Sequence, residues 1–256
     1  MGNLLIARRN LLLAAGGVAL VAAFQKGPDI LAAFGSEFEF EPSPVDGFRQ
    51  IAGGSSSTGS FDPFVGLDRD KVAIPAELVA TVERNLCSTL FEDTGTGDVP
   101  VASFSDYNCP YCRILTRDLG RIAQEGGVTV SWHELPLLGE TSIAAAKAAL
   151  AAKRQGAYTE FYERLLRTAF VTTPEFLRLI ADDIGVDYEQ LRRDIDSPKI
   201  EDELERSKAL AQIFRFSATP AMVVGRTVVI GVVGEARLRS LIELERQEGR
   251  VERCFV

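Results

Sequence analysis

The sequence predicts an α/β fold into which an all-helical subdomain is inserted. Two observations lead to this prediction. A dithiol motif, Cys109-Pro110-Tyr111-Cys112, stands between an apolar strand pattern and a helical pattern, and most of the later helices lie between two strand regions. The predicted order is a strand at 99–104, a helix from 110, a strand at 128–132, helices at about 141–216, a hairpin at 222–230 and a helix at about 235–247.

The helix boundaries follow from local signals. Pro75 begins an apolar pattern at helical spacing, which predicts a helix over 75–91. Thr173-Pro174 and Ser197-Pro198 each place an N-cap residue before a proline at the first helical position. Asp187 and Gln190 are spaced as a capping box, with Gly185 at the end of the preceding helix. Gly225-Arg226 predicts a two-residue hairpin turn.

The spacing of the dithiol motif predicts redox chemistry. Cysteines at i and i+3 share one helix face, and Pro110 suits the first helical position because its missing N–H is not needed there. Cys109 therefore becomes the N-cap, where free N–H groups and the helix dipole stabilise a thiolate. The dipole alone supplies at most about one pKa unit, so direct N–H bonds and any contribution of Tyr111 must supply the rest.

A metal site is the alternative for the same two cysteines. Zinc would need two further Cys or His ligands, but His133 is the only histidine, and Cys87 and Cys254 are distant in sequence. Cys87 and Cys254 are instead expected to pair, which would join the N-terminal helix to the C-terminal tail. The other possibility is that both are free and buried.

The N-terminus predicts transport out of the cytoplasm. Arg8-Arg9 precede an apolar run over 11–24, which matches an export signal better than a membrane span of about twenty residues. The order resembles a twin-arginine signal, and an uncleaved anchor is the alternative. Either case places the chain where disulfides persist, in the periplasm or tethered to the inner membrane. A net charge of −8 argues against nucleic-acid binding.

Three regions are expected along the 256 residues. Residues 1–24 form the export signal or anchor. Residues 25–70 are rich in Gly, Ser and Pro and predict a linker with poor independent order, although some of its phenylalanines are expected to lie along the folded domain. Residues 71–256 form the catalytic domain, with the helical insertion at about 141–216.

Three segments resemble the DsbA-like thiol–disulfide oxidoreductases, which have a thioredoxin-like fold. They are residues 104–112, residues 132–139 and Ala218-Thr219-Pro220 before the hairpin. The motif is most similar to the bacterial envelope subgroup that carries CPYC or CGYC. The resemblance implies a cis Thr219–Pro220 bond beside the dithiol. It also implies that the Thr219 backbone pairs with an extended substrate and that its side chain tunes the sulfurs.

Three further positions bear on the comparison with the family pattern. Ser103 stands where many thioredoxin-like proteins carry a buried acid, so proton transfer at Cys112 would rely on water or Ser103. Tyr111 stands where the best-known members have His, so a less strongly oxidising couple is expected. His133 is expected to pack in the core or at the surface rather than to act in catalysis.

The expected activity is thiol–disulfide exchange on extracytoplasmic proteins, most specifically disulfide formation. An exposed Cys109 would form a mixed disulfide with the substrate, and Cys112 would resolve it. Substrates would be unfolded or partly oxidised envelope proteins, a membrane redox partner would reoxidise the dithiol, and no metal or organic cofactor is expected. The alternatives are an envelope reductase or isomerase, and a copper- or zinc-handling protein with the dithiol as soft ligands.

Overall fold

The computed structural model describes residues 38–58, 74–92, 99–167 and 173–249. These residues form eight strands and nine helices. The strands are β1 (Phe40–Pro42), β2 (Arg49–Ile51), β3 (Ser57–Thr58), β4 (Val99–Ser105), β5 (Val128–Glu134), β6 (Ala218–Thr219), β7 (Ala221–Val224) and β8 (Thr227–Ile230). The helices are α1 (Ala76–Arg84), α2 (Leu86–Leu90), α3 (Pro110–Glu125), α4 (Glu140–Lys153), α5 (Tyr158–Arg167), α6 (Pro174–Ile184), α7 (Tyr188–Ile195), α8 (Pro198–Phe214) and α9 (Glu235–Glu248).

Six of the strands form one mixed sheet in the order β1-β2-β8-β7-β4-β5. β4 and β5 are parallel neighbours because α3 connects them as a crossover, while β7 and β8 form the predicted hairpin through Gly225-Arg226. Every residue of β4 is buried, as expected for a strand with neighbours on both sides and helices over its faces. β3 and β6 form a separate antiparallel pair.

The helical insertion has its own apolar core. Alanines of α4 pack against aromatic residues of α5 and aliphatic residues of α6 and α7, among them Phe161, Ile180 and Leu191. Small alanine side chains let the neighbouring helices approach closely. The predicted boundaries of this insertion agree with α4 to α8, and Gly185 ends α6 with a left-handed backbone at φ 73°.

Two helix predictions need correction. The helix predicted over 75–91 is interrupted at Asn85, whose backbone N–H bonds to both Thr81 and Val82 carbonyls and whose side-chain amide donates to the Thr81 carbonyl. This local competition ends α1 just before α2 begins. Ser197 is at the N-cap of α8 as predicted, but its side chain makes no capping hydrogen bond. Thr173 and Asp187 do cap α6 and α7.

The linker prediction is wrong for residues 38–58. β1 and β2 extend the main sheet, because β2 pairs in parallel with β8 and Phe48 is buried in the core. Arg49 fixes this attachment through an ion pair with the buried Glu245 carboxylate at 2.7 Å and a hydrogen bond to the Thr227 hydroxyl at 2.9 Å. The rest of the predicted linker and the predicted export signal lie outside the described residues.

No helix within the described ranges is long and apolar enough to cross a membrane.

Candidate active site

The two cysteines lie at the end of β4 and the start of α3. Cys109 is the N-cap of α3 and Pro110 is its first residue, as predicted. The Cys109 backbone N–H donates to the Asp106 carbonyl at 3.0 Å, which closes the turn between strand and helix. Cys112 lies one turn into the helix, and both thiols are reduced.

Cys109 accepts several hydrogen bonds that favour its thiolate. The largest contribution comes from the Cys112 thiol; burial opposes it, and further bonds come from the Ser57 side chain and from the Cys112 backbone N–H at 3.2 Å. Together they lower the pKa of Cys109 to about 6. The predicted need for direct donors beyond the helix dipole is thus met.

Cys112 has the opposite environment. Burial raises the pKa of its thiol far above the ordinary range, and the hydrogen bond and charge of Cys109 raise it further. The Asp106 backbone N–H, 3.5 Å from the sulfur, opposes this only weakly. The reduced site therefore holds one thiolate, on Cys109, and one proton, on Cys112.

Thr219 and Pro220 lie against the dithiol. The Thr219–Pro220 peptide bond is cis, as predicted. The Cys109 thiol, when protonated, donates to the Thr219 carbonyl at 3.3 Å. The Thr219 hydroxyl is buried beside both sulfurs and has no conventional hydrogen-bond partner in the described part of the chain, so it can serve either sulfur.

The prediction that Cys109 is exposed is wrong. Cys109 is 0% exposed, although Pro110 is exposed and Tyr111 is half-buried at the same helix end. The reason is β3, which pairs with β6 and brings Ser57 to the Cys109 sulfur. The sequence patterns place Ser57 inside the predicted linker of residues 25–70 and give no signal that connects it to the site.

Asp106 is a site residue that the sequence patterns did not single out. Its buried carboxylate accepts hydrogen bonds from the backbone N–H groups of Leu137 (2.6 Å), Leu138 (2.9 Å) and Asn108 (2.8 Å) and from the Ser142 hydroxyl (2.7 Å). These bonds join the dithiol turn to the start of the helical insertion. The Asp106-x-Asn108 spacing, typical of an Asx turn, was the available signal.

Ser103 lies at the position where many thioredoxin-like proteins carry a buried acid. No residue of β4 is acidic. Ser103 is fully buried and its hydroxyl has no partner among the described residues. A buried carboxyl group does lie in the neighbouring strand, that of Glu134 at the end of β5, opposite Ser105. Burial raises the pKa of Glu134 to about 8, and the Tyr158 hydroxyl donates to its carboxylate at 2.7 Å.

His133 packs in the core. Its ring stacks on Phe104 with centroids 4.7 Å apart, and its Nε2 lies 2.9 Å from the Leu90 carbonyl oxygen. Burial lowers the pKa of His133, so the ring is neutral. This agrees with the predicted packing role.

The remaining cysteine predictions are partly answered. Cys87 is disulfide-bonded, but Cys254, its predicted partner, lies outside the described residues, so the pairing stays a prediction. Within those residues, no group of three or more His, Cys, Asp or Glu side chains is placed to hold a metal ion. Cys109 and Cys112 thus have no third ligand there.

With this geometry established, the family comparison identifies the class of protein. Residues 100–243, more than half of the chain, match the model of the DSBA-like thioredoxin domain, and the chain belongs to that family. It is a thiol–disulfide oxidoreductase with a thioredoxin-like fold and a helical insertion.

Individual relatives agree with this class. The probable disulfide bond formation protein D of Bacillus anthracis is 25% identical over 149 residues, which span 52% of this chain and 69% of that protein. A thioredoxin-like oxidoreductase from Silicibacter pomeroyi is 36% identical, with a TM-score of 0.57 over 62% of this chain and 97% of its own. The thiol-disulfide exchange protein alpha-DsbA2 from Wolbachia pipientis is 22% identical with the same TM-score over 66% and 95%, which supports the fold alone.

Proposed function

We propose that this oxidoreductase forms disulfides in proteins outside the cytoplasm, with Cys109 and Cys112 as its catalytic pair. The observation that carries the proposal is the position of Cys109 at the N-cap of α3, where its sulfur accepts the Cys112 backbone N–H at 3.2 Å. These contacts favour a thiolate on Cys109, with a pKa of about 6, beside a protonated Cys112. A thiolate that is stable in the reduced enzyme favours reduction of the enzyme's own disulfide, which is the direction in which an oxidase works.

The reaction follows from the difference between the two sulfurs. A substrate thiolate attacks the Cys109 sulfur of the Cys109–Cys112 disulfide, and Cys112 leaves and takes up a proton, consistent with its raised pKa. A second substrate thiolate then attacks the substrate's own sulfur in the mixed disulfide. Cys109 leaves as a thiolate, and its low pKa makes it a good leaving group. The substrate is oxidised by two electrons and the enzyme is reduced by two.

Thr219, Pro220, Pro110 and Tyr111 complete the proposed site. The Thr219 hydroxyl is available to the sulfur that carries charge at each step, because it has no other partner among the described residues. Pro220 follows Thr219 through the cis bond and lies between β6 and β7. Pro110 is the first residue of α3, whose N–H groups face Cys109. Tyr111 carries no positive charge, whereas a protonated His at the same position would stabilise the thiolate.

The finer assignments belong to the same proposal. Export through residues 1–24 would place the protein in the periplasm or hold it at the membrane, where the Cys87 disulfide would persist. Its substrates would be unfolded or partly oxidised envelope proteins. A membrane redox enzyme would accept the two electrons and restore the Cys109–Cys112 disulfide.

Equilibration with glutathione buffers tests the direction of exchange. At pH 7, a pKa of about 6 stabilises the reduced site by about 1.4 kcal/mol relative to a neutral thiol, or about 30 mV. We expect a potential between about −180 and −120 mV, with the upper limit set by the absence of a cation at Tyr111. A potential near about −270 mV would instead identify a reductase.

A further inference from the structure

β3 belongs to the same chain as the dithiol, yet it lies where a substrate would have to bind. Ser57 is opposite Thr219 and Thr58 is opposite Ala218 in an antiparallel pair that is separate from the main sheet. Thr219 is also the residue whose carbonyl contacts the Cys109 thiol at 3.3 Å. The backbone edge beside Cys109 is therefore already occupied by an extended segment of this chain.

The path of the chain toward β3 is fixed by close backbone contacts. The Val232 backbone N–H donates to the Ser55 carbonyl at 2.9 Å. A Cβ atom on Gly53 would lie 1.7 Å from the Ile230 carbonyl oxygen, and one on Gly54 would lie 2.3 Å from the Val232 carbonyl oxygen. Only glycine fits at either position, so the Gly-Gly pair is a requirement of this docking.

The side chain that reaches the sulfur is that of Ser57. Its hydrogen bond to Cys109 is one of the causes of the low pKa of that thiol, after the Cys112 thiol. Serine and cysteine differ only in the atom at the γ position, so Ser57 places an oxygen where a cysteine would place a sulfur. Cys109 is meanwhile 0% exposed, which leaves no room for a second peptide.

We propose that residues 55–58 are an internal substrate mimic, which occupies the peptide-binding groove beside Thr219 with Ser57 in the position of the substrate cysteine. The proposal rests on the proposed function and on the extended substrate that the family resemblance places beside Thr219. It adds one property: residues 55–58 compete with substrates, because this segment must leave before Cys109 can be attacked.

Cysteine substitution at Ser57 tests the position directly. In a Ser57→Cys/Cys112→Ala variant, glutathione disulfide oxidises the introduced thiol and the Cys109 thiol, so a disulfide forms between them and two glutathione thiols are released. The matched control is Thr58→Cys/Cys112→Ala, because successive strand residues point to opposite faces and Thr58 is exposed. We expect the effective concentration for this disulfide to exceed that of the control by about 100-fold. Equal values in the two variants would overturn the proposal.

Release of the segment gives a second readout. Gly53→Ala/Gly54→Ala should displace the segment and raise the alkylation rate of reduced Cys109 by iodoacetamide about tenfold. Gly120→Ala, where an added Cβ meets nothing within 4 Å, should stay at the wild-type rate. An unchanged alkylation rate in Gly53→Ala/Gly54→Ala would contradict the proposal that residues 55–58 compete with substrates for Cys109. The glutathione potential of the wild-type protein is measured separately. A potential in the reductase range would defeat the proposed function, whereas the two results above test only the position and the competition of residues 55–58.

Discussion

Cys109 and Cys112 are the same residue type one helical turn apart, yet their thiols have opposite acid strengths. Burial raises the pKa of Cys112 most, and the negative charge on Cys109 raises it further. Cys109 accepts hydrogen bonds from the Cys112 thiol and backbone N–H, which lower its pKa although it is also buried. At the residue scale, the proposed chemistry uses this asymmetry, because it leaves one sulfur as a thiolate and the other as a thiol.

Removal of the Cys112 thiol should weaken the asymmetry. In Cys112→Ala, we expect the pKa of Cys109 to rise, because the largest of its stabilising hydrogen bonds is lost while burial remains. The ultraviolet absorbance of the thiolate as a function of pH measures the change. Ser103→Ala is the control and should leave the pKa of Cys109 unchanged, since the Ser103 hydroxyl has no partner among the described residues. A pKa that stays near 6 in Cys112→Ala would contradict this explanation.

Glu134 should make stability depend on pH. Its folded-state pKa of about 8 lies above the unfolded value of about 4.3, so the folded protein holds a proton that the unfolded chain releases. This contribution is fully present below about pH 4 and is lost as the pH rises toward about 8. Between those limits the loss is several kcal/mol at most, since one pKa unit corresponds to about 1.4 kcal/mol.

Glu134→Gln checks this directly. The amide keeps an acceptor for the Tyr158 hydroxyl but cannot ionise. Denaturant unfolding at about pH 5 and about pH 9 should show a smaller fall in stability for the variant than for the wild type. Equal falls would mean that Glu134 does not hold a proton in the folded state.

At the element scale, the two Ser/Thr-Pro helix starts differ. The Thr173 hydroxyl accepts the Phe176 N–H, while the Ser197 hydroxyl makes no capping bond. Thr173→Ala should therefore cost about 1 kcal/mol of unfolding free energy. Ser197→Ala should cost close to nothing, and urea titration of the two variants compares them. A larger loss of unfolding free energy in Ser197→Ala than in Thr173→Ala would contradict the absence of a capping hydrogen bond at Ser197.

The elements that could be predicted from sequence are those with strong local signals. β4, the dithiol turn, α3 and the β7–β8 hairpin follow from an apolar run, a proline at the first helical position and a glycine-led turn. The position of β3 could not be predicted, because a two-residue strand of small polar residues has no periodicity and its partner Thr219 is distant in the sequence. The spacing of Asp106 and Asn108 indicates a turn but not the burial of the Asp106 carboxylate, and no spacing indicates the burial of Glu134.

At the scale of the whole molecule, a buried ionic cluster helps to attach residues 38–58 to the rest of the domain. Glu245 accepts hydrogen bonds from the Arg49 guanidinium, the Thr227 hydroxyl and the Arg226 backbone N–H. The cluster joins β2, β8 and α9. The cluster therefore adds to the β2–β8 pairing and the buried Phe48 side chain, which also attach residues 38–58 to the catalytic domain.

Arg49→Leu should break this attachment. The variant leaves the Glu245 carboxylate buried without its cationic partner, which should cost about 3 kcal/mol. A Glu245→Leu change in the same chain should recover part of the loss, because the unpaired charge is then gone. Calorimetry or urea unfolding measures both. An Arg49→Leu variant as stable as the wild type would show that this ion pair does not stabilise the attachment.

Titration of Cys109 in the reduced wild-type protein shows whether this sulfur alone is ionised at neutral pH. Thiolate absorbance followed against pH does not require a reagent to reach the covered sulfur. We expect one thiol per chain to ionise with a midpoint at about pH 6, while Cys112 stays protonated well into the alkaline range. A single midpoint at the ordinary cysteine value of about 8.5 would contradict the account.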